Sequence, residues 1–262
     1  MTNANYEPDS EFVDYRVEDR IAVITMKRPE RLNAWGSAMG RGLTRAFEQY
    51  KIDREARVAI LCGEGRAFCA GADAKEFAAR KVSWSSRPRN EMGSFGRGTL
   101  FKPVIGAIQG NCLGAGLLLL AVRCDIRVAA EDALFGLPEV KVGIVNCEVA
   151  WANQGLPTAV LMEMSMVGDP IDAKRAFEIG LVNKVVPNDQ LMKAAFDFAH
   201  KIAKNSPQAV RMSKENLLKA VEVSQHAKDY EFELYDISSN SPDALEGFTA
   251  HVDRREPAWT DE

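Results

Sequence analysis

"FCAGADAKEF", residues 68–77, decides how this chain is read. A large apolar residue, Phe68, is followed by four small ones, Cys69, Ala70, Gly71 and Ala72, before Asp73 opens a short helix predicted near residues 74–79. The stretch follows "RVAILCG", residues 57–63, which is almost wholly apolar, as a strand covered on both faces must be. Buried parallel strands deliver their loops to one edge of a sheet, where ligands commonly bind. A turn of small residues at that edge leaves backbone N–H groups uncovered. The same design returns at residues 103–122: strand "PVIGAI", turn "QGNCLGAG", helix "LLLLAV". Gly110, Gly114, Ala115 and Gly116 leave a helix N-terminus unobstructed, with the positive end of its dipole facing outward. Two N–H donors, one per turn, converging on one oxygen would form an oxyanion hole. Taken singly, each turn is better accounted for by close helix-on-sheet packing; their repetition after buried strands favours a site.

Outward from these turns the pattern is alternating strand and helix. "EFVDYRV" and "RIAVITMKR" alternate and predict a hairpin, and "RPERLNAW" a turn. Leu43, Phe47 and Tyr50 share a face of a helix over 37–54. Residues 81–98 lack a period and read as a mobile loop. "DIRVAA" and "ALFGL" are two further strands. Beyond residue 148 the chain turns helical except for "GLVNKVV", with helices expected at 158–167, 172–179, 187–204, 207–222, 225–238 and 242–252. Asp172 and Asp189 suit N-caps, and Pro207 a first helical turn. The class is α/β with a C-terminal helical part, either one domain or a core with an appendage.

Composition narrows the function. A formal net charge of -4 over 262 residues argues against wholesale attraction to nucleic acid or an anionic membrane surface. The start, "MTNANYEPDSEF", lacks a signal-peptide apolar core and a transit-peptide pattern, and "CLGAGLLLLAV" is too short to span a membrane. Five cysteines without a C-x-x-C pair read as reduced thiols, so a cytoplasmic protein is expected. His200, His226 and His251 have no metal-ligand spacing, and no metal is expected.

"FGLPEVKVGI", residues 135–144, sets Glu139 among Phe135, Leu137, Val140 and Val142. Partial desolvation there would raise a carboxyl pKa and suit acid/base work near neutral pH. A surface glutamate in a turn is the plainer alternative, as N-capping is for Asp73.

"AFCAGADAKEF", "IQGNCLGAG" and "FGLPEVKVGI", in this order and spacing, resemble the enoyl-CoA hydratase/isomerase (crotonase) superfamily. "ITMKRPERLNAW", "CDIRVAA", "AFEIGLVNKVVP" and "DALEGFTAHVDRREPAW" extend the likeness over roughly residues 12–259. The resemblance implies a right-handed β-β-α spiral core over residues 1–200, holding a CoA-thioester site. It implies a helical oligomerisation region over 201–262, in a homotrimer or homohexamer. It implies an acyl-CoA substrate, with coenzyme A part of that substrate and no separate cofactor. The N–H groups of Ala70 and Ala115 would polarise the thioester oxygen, and Glu139 would move the proton. Gly71, Ala72 and Asp73 would lie along the pantetheine and acyl group, with Gly114 and Leu118 beside the acyl group. Lys27, Arg28 and Arg31 would reach the nucleotide phosphates, though a solvated basic turn accounts for them equally well.

The departures from the family pattern bear on the reaction. A typical hydratase holds water between two glutamates; Glu139 matches the second, and Leu118 stands where the first belongs. The chain also reads one residue longer than usual before Cys124, but residues 117–120 are all leucine, and a leucine neither binds nor deprotonates water. Glu148 and Asn146 are new polar groups beside the expected pocket. Glu148 either replaces the lost acid or sits as a charge at a helix N-terminus, the favoured reading. Three functions compete. The first is a one-glutamate isomerase, or a hydratase-lyase on an aryl acyl-CoA, with Leu117, Leu118, Trp84 and Trp151 lining the pocket. The second is a short-chain 2-enoyl-CoA hydratase using Glu148. The third is a CoA-binding pseudoenzyme. Some relatives bind RNA, which the acidic charge and the lack of an Arg/aromatic stripe argue against here.

Overall fold

The computed structural model describes residues 11–79, 100–145, 155–222 and 224–260. The expected 81–98 loop, Trp84, Asn146, Glu148 and Trp151 lie outside them. Strands β1 (Val13–Glu18) and β2 (Ile21–Met26) form the expected antiparallel hairpin. Asp19 and Arg20 turn it with φ of 46° and 67°, the positive pair that suits the twist of the flanking strands.

From β2 onward the main sheet is parallel. Strands β3 (Val58–Gly63), β4 (Val104–Ile108), β6 (Ile126–Ala130) and β9 (Lys184–Val186) extend it in the order β1-β2-β3-β4-β6-β9. Strands β2, β3, β4 and β6 are buried on both faces, which is why they read as continuous apolar runs. Ile24, Leu61 and Ile108 face the core built with Leu43, Phe47 and Tyr50 of α1 (Ser37–Ile52). Their neighbours Val23, Ile60 and Ile105 face Leu191, Ala195 and Ala199 of a later helix. Each fully buried Ile or Leu contributes about 1.5–3 kcal/mol.

A second, smaller ladder runs beside the first. Strands β5 (Asn111–Leu113), β7 (Leu134–Gly136) and β8 (Ile171–Asp172) pair in that order. Isolated parallel bridges add Cys69 opposite Cys112 and Ala72 opposite Trp35. Each spiral turn therefore gives one strand to the large sheet, one short segment to the small ladder, and a helix. Helix α2 (Ala74–Ala79) follows the first small-residue turn and α3 (Ala115–Arg123) the second. Three-residue strands such as β5 carry no sequence period, so only the pairing reveals them.

The C-terminal half is helical as expected: α4 (Thr158–Val167), α5 (Ala173–Glu178), α6 (Leu191–Ala203), α7 (Pro207–Ala220), α8 (Gln225–Ser239) and α9 (Pro242–Asp253). Asp172 caps α5, accepting from the Arg175 N–H at 2.7 Å, and Pro207 opens α7. Asp189 does not cap α6. It lies in a 3-10 turn, Asn188–Gln190, and the helix begins after Gln190 without a side-chain cap. Ser206, Ser224 and Ser241 cap α7, α8 and α9. Among the described residues no helix is long and apolar enough to cross a membrane.

Candidate active site

The two small-residue turns meet because both belong to the small ladder. Cys69 N–H donates to the Asn111 carbonyl at 2.9 Å, and Leu113 N–H donates to Cys69 O at 3.0 Å. On its other side the first turn pairs with residues 32–35: Trp35 N–H donates to Gly71 O at 2.7 Å, and Asp73 N–H to Trp35 O at 2.8 Å. Helix α3 then starts against Cys69. A Cβ on Gly116 would stand 2.6 Å from the Cys69 carbonyl oxygen, so only glycine permits this approach.

This ladder changes one expectation. The N–H of Ala70 is not bare; it donates to Leu32 O at 3.0 Å. In the parallel bridge between Trp35 and Ala72, Trp35 makes both bonds, donating to Gly71 O and accepting from Asp73 N–H, so Ala72 is the residue that faces away. The Ala72 N–H, trans to the Gly71 C=O that Trp35 holds, is therefore directed away from residues 32–35. Sequence reading missed this because it counts small residues without knowing which strand each faces.

Gly114 N–H donates to Gly136 O at 2.9 Å, and the first intrahelical bond of α3 runs from Leu118 N–H to Gly114 O. The N–H groups of Ala115, Gly116 and Leu117 precede that bond and face out of the helix N-terminus. Gly114 adopts φ 50° and ψ -116°, a conformation closed to residues with a Cβ. Helix α3 runs to Arg123, where Cys124 N–H caps it on Leu120 O at 3.0 Å.

Glu139 arrives from a third direction, on the 3-10 turn Pro138–Val142 that follows β7. The β7 pairing with β5 sets this turn beside α3. The Glu139 carboxylate lies against the Cα of Gly114: a Cβ there would be 3.1 Å from its Cδ and 3.5 Å from Oε2, and closer still to Oε1. The side chain is half-buried and Oε2 is shielded from solvent. A carboxylate thus stands at the N-terminus of α3, next to its first-turn donors.

Leu118 is buried, with 7 % of its surface exposed. Leu117, Leu119 and Leu120 join the main core, whereas Leu118 belongs to neither core cluster among the described residues. Cys69 and Cys112 supply no nucleophile. Burial pushes the Cys69 thiol up to about 11, and it drives Cys112 well above its ordinary value, so both stay protonated at neutral pH.

Asp73 does what its plainer alternative says. Its Oδ1 accepts the Glu76 N–H at 3.2 Å and caps α2, and Oδ2 takes the Arg28 guanidinium at 2.7 Å. Arg28 also lies 5.0 Å over the Phe12 ring, so its charge is committed inside the fold rather than held out for phosphate. Lys27 and Arg31 are exposed on the same turn. Asn33, fully buried, fixes that turn: its Oδ1 accepts from Arg28 N–H, and its Nδ2 donates to the Glu64 and Ala67 carbonyls. Glu76 joins the same tie, accepting from Ser37 N–H at 3.1 Å and from Ser37 Oγ at 2.6 Å.

Residues 16–262 match the family model described as enoyl-CoA hydratase/isomerase. The chain is 32 % identical over 256 residues to the (E)-benzylidenesuccinyl-CoA hydratase of Thauera aromatica, covering 94 % of this chain and 98 % of that one. It is 33 % identical over 250 residues to the 2,3-dehydroadipyl-CoA hydratase of Escherichia coli (strain K12), covering 92 % and 95 %. Among solved structures, that of carnitinyl-CoA hydratase from Mycobacterium avium superposes with a TM-score of 0.85 at 29 % identity, covering 96 % of this chain and 99 % of that one.

Proposed function

Because this chain belongs to the enoyl-CoA hydratase/isomerase family, we propose that it polarises an acyl-CoA thioester and moves a proton with Glu139 as sole acid/base. The thioester oxygen sits between the N–H groups of Ala72 and Ala115, with Ala72 taking the role first read for Ala70. As the α-carbon loses its proton, the electron pair passes to that oxygen, and the enolate charge is met by the two donors and by the α3 dipole. In a double-bond shift Glu139 takes the α-proton and returns it at the γ-carbon, so no atom is gained or lost and one carboxyl suffices. The observation that carries this reading is the Glu139 carboxylate lying on Gly114 at the start of α3, with leucine, not an acid, at position 118.

Hydration of an aryl-substituted enoyl-CoA is the second reading, favoured by the likeness to the Thauera enzyme. Under either, Gly71 and Ala72 line the pantetheine, and Lys27 and Arg31 meet the nucleotide phosphates. The exposed Met212, Leu217, Leu218 and Ile237 of α7 and α8 offer the apolar contact for a trimer or hexamer in the cytoplasm.

The test is product analysis by mass and isomer for the wild type and Glu139→Gln, on panels of 2-enoyl- and 3-enoyl-CoA thioesters, aliphatic and aryl. A double-bond shift at constant mass, lost in the variant, is the expected result. A gain of water lost in the variant supports the second reading. Binding without turnover in the wild type refutes both and leaves a CoA-binding protein.

A further inference from the structure

Helix α9 lies against the turn that carries Glu139. Its first two turns and the backbone of residues 142–143 approach so closely that glycine is required on both sides. A Cβ on Gly247 would stand 2.5 Å from the Val142 carbonyl oxygen and 2.6 Å from its Cα, both main-chain atoms that cannot rotate away. From the other side, a Cβ on Gly143 would stand 2.5 Å from Asp243 O and 3.0 Å from Ala244 N. Ala244 and Gly247, three residues apart, share a helix face, and that face is laid on the end of the Glu139 turn. Gly143 adopts φ 74° and closes the turn, donating its N–H to Val140 O, while Ile144 N–H returns to Glu139 O at 3.2 Å. The backbone that α9 touches is therefore hydrogen-bonded directly to the main chain of Glu139 and Val140.

The same helix also holds the opposing side of the site. Phe248, next to Gly247, stacks on Phe77 of α2 with ring centroids 3.7 Å apart and planes 19° from parallel. Helix α2 begins one residue after Asp73, in the turn that carries Ala72. One rigid helix thus spans the acid turn and the oxyanion turn, which are otherwise 65 or more residues apart in sequence.

We propose that α9 sets the distance between the Glu139 carboxylate and the oxyanion donors, with Gly247 as a positioning residue for proton transfer through its backbone contact with Val142. Gly247 meets neither substrate nor reacting atoms; it acts by fixing where the Glu139 turn ends. The inference rests on the reading of Glu139 as the acid/base, and its test separates the two.

Gly247→Ala, Ala244→Gly, Ser241→Ala and Glu139→Gln are prepared in the full chain. Each is assayed on the enoyl-CoA panel for kcat and KM, for deuterium uptake at the α-carbon in heavy water, and for thermal midpoint. Gly247→Ala pushes the turn away and is expected to lower kcat and α-deuteration together by tenfold or more, with KM within threefold of wild type. Ala244→Gly loosens the same contact without adding bulk and is expected to lower kcat threefold or more; it stands in should Gly247→Ala fail to fold. Ser241→Ala removes the α9 cap, an Oγ that accepts from Ala244 N–H at 3.1 Å. It lowers the thermal midpoint while leaving kcat within twofold below that midpoint. The proposal is overturned if Gly247→Ala and Ala244→Gly keep wild-type kcat, or if all three helix variants lose kcat in proportion to their loss of midpoint. Full α-deuteration by Glu139→Gln would instead sink the acid/base reading itself, whatever the helix variants do.

Discussion

Gly114→Ala probes the site's geometry most directly. The new Cβ would fall within van der Waals range of the Glu139 carboxylate, 3.1 Å from Cδ and nearer to Oε1. Relieving that overlap displaces the carboxylate by about 1 Å, and a misplacement of this size costs on the order of 10²-fold in rate. The backbone adds its own penalty: φ 50° with ψ -116° is a glycine region, and an alanine held there costs about 1–3 kcal/mol. At about 2–4 °C per kcal/mol for a chain of this size, the thermal midpoint falls by roughly 2–12 °C. The assay is steady-state kinetics on the best enoyl-CoA of the panel, well below the variant's midpoint, with the folded fraction checked by circular dichroism. If Glu139 moves the proton as proposed, a kcat down about 10²-fold with KM little changed is expected, since the substitution displaces that carboxylate and adds only one methyl elsewhere. A folded Gly114→Ala protein with kcat within threefold of wild type would refute the placement of Glu139 beside the α3 N-terminus as the working geometry.

Two further outcomes follow from the same contacts. Asp73→Asn keeps a cap for α2 but breaks the pair with Arg28, whose side chains are 8 % and 18 % exposed; urea titration should show a loss of about 2–3 kcal/mol, and a double-mutant cycle with Arg28→Met a coupling above ~1 kcal/mol. Leu118→Glu puts a second carboxyl at a buried position, so stability falls by about 2 kcal/mol or more; the ratio of water addition to double-bond shift should rise, and an unchanged ratio would show that position 118 does not face the reacting carbons.

The sequence carried more of the fold than of the site. The parallel strands were legible because burial on both faces leaves continuous apolar runs such as "VAILCG", and α4 because its limits follow Pro157 and Gly168. Asp189 misled because a 3-10 turn and a helix N-terminus call for the same residue types. Leu32 O, Asn33 and the Arg28–Asp73 pair left no signal, since they serve the site only through contacts between segments about 35 to 45 residues apart. Gly247 likewise reads in sequence as a weak point within a helix; its reason appears only when Val142 is beside it.

By itself, then, the sequence determined the family and the longer strands and helices, because these depend on residue type and local spacing. Which N–H beside Gly71 points away from residues 32–35 was decided by the tertiary structure alone. Ala70 and Ala72 are chemically the same, and both flank Gly71. Pairing with residues 32–35 spends the Ala70 N–H on Leu32 O and holds the Gly71 C=O on Trp35 N–H; Gly71, at φ 101°, breaks the strand alternation there, so the Ala72 N–H points away from that segment.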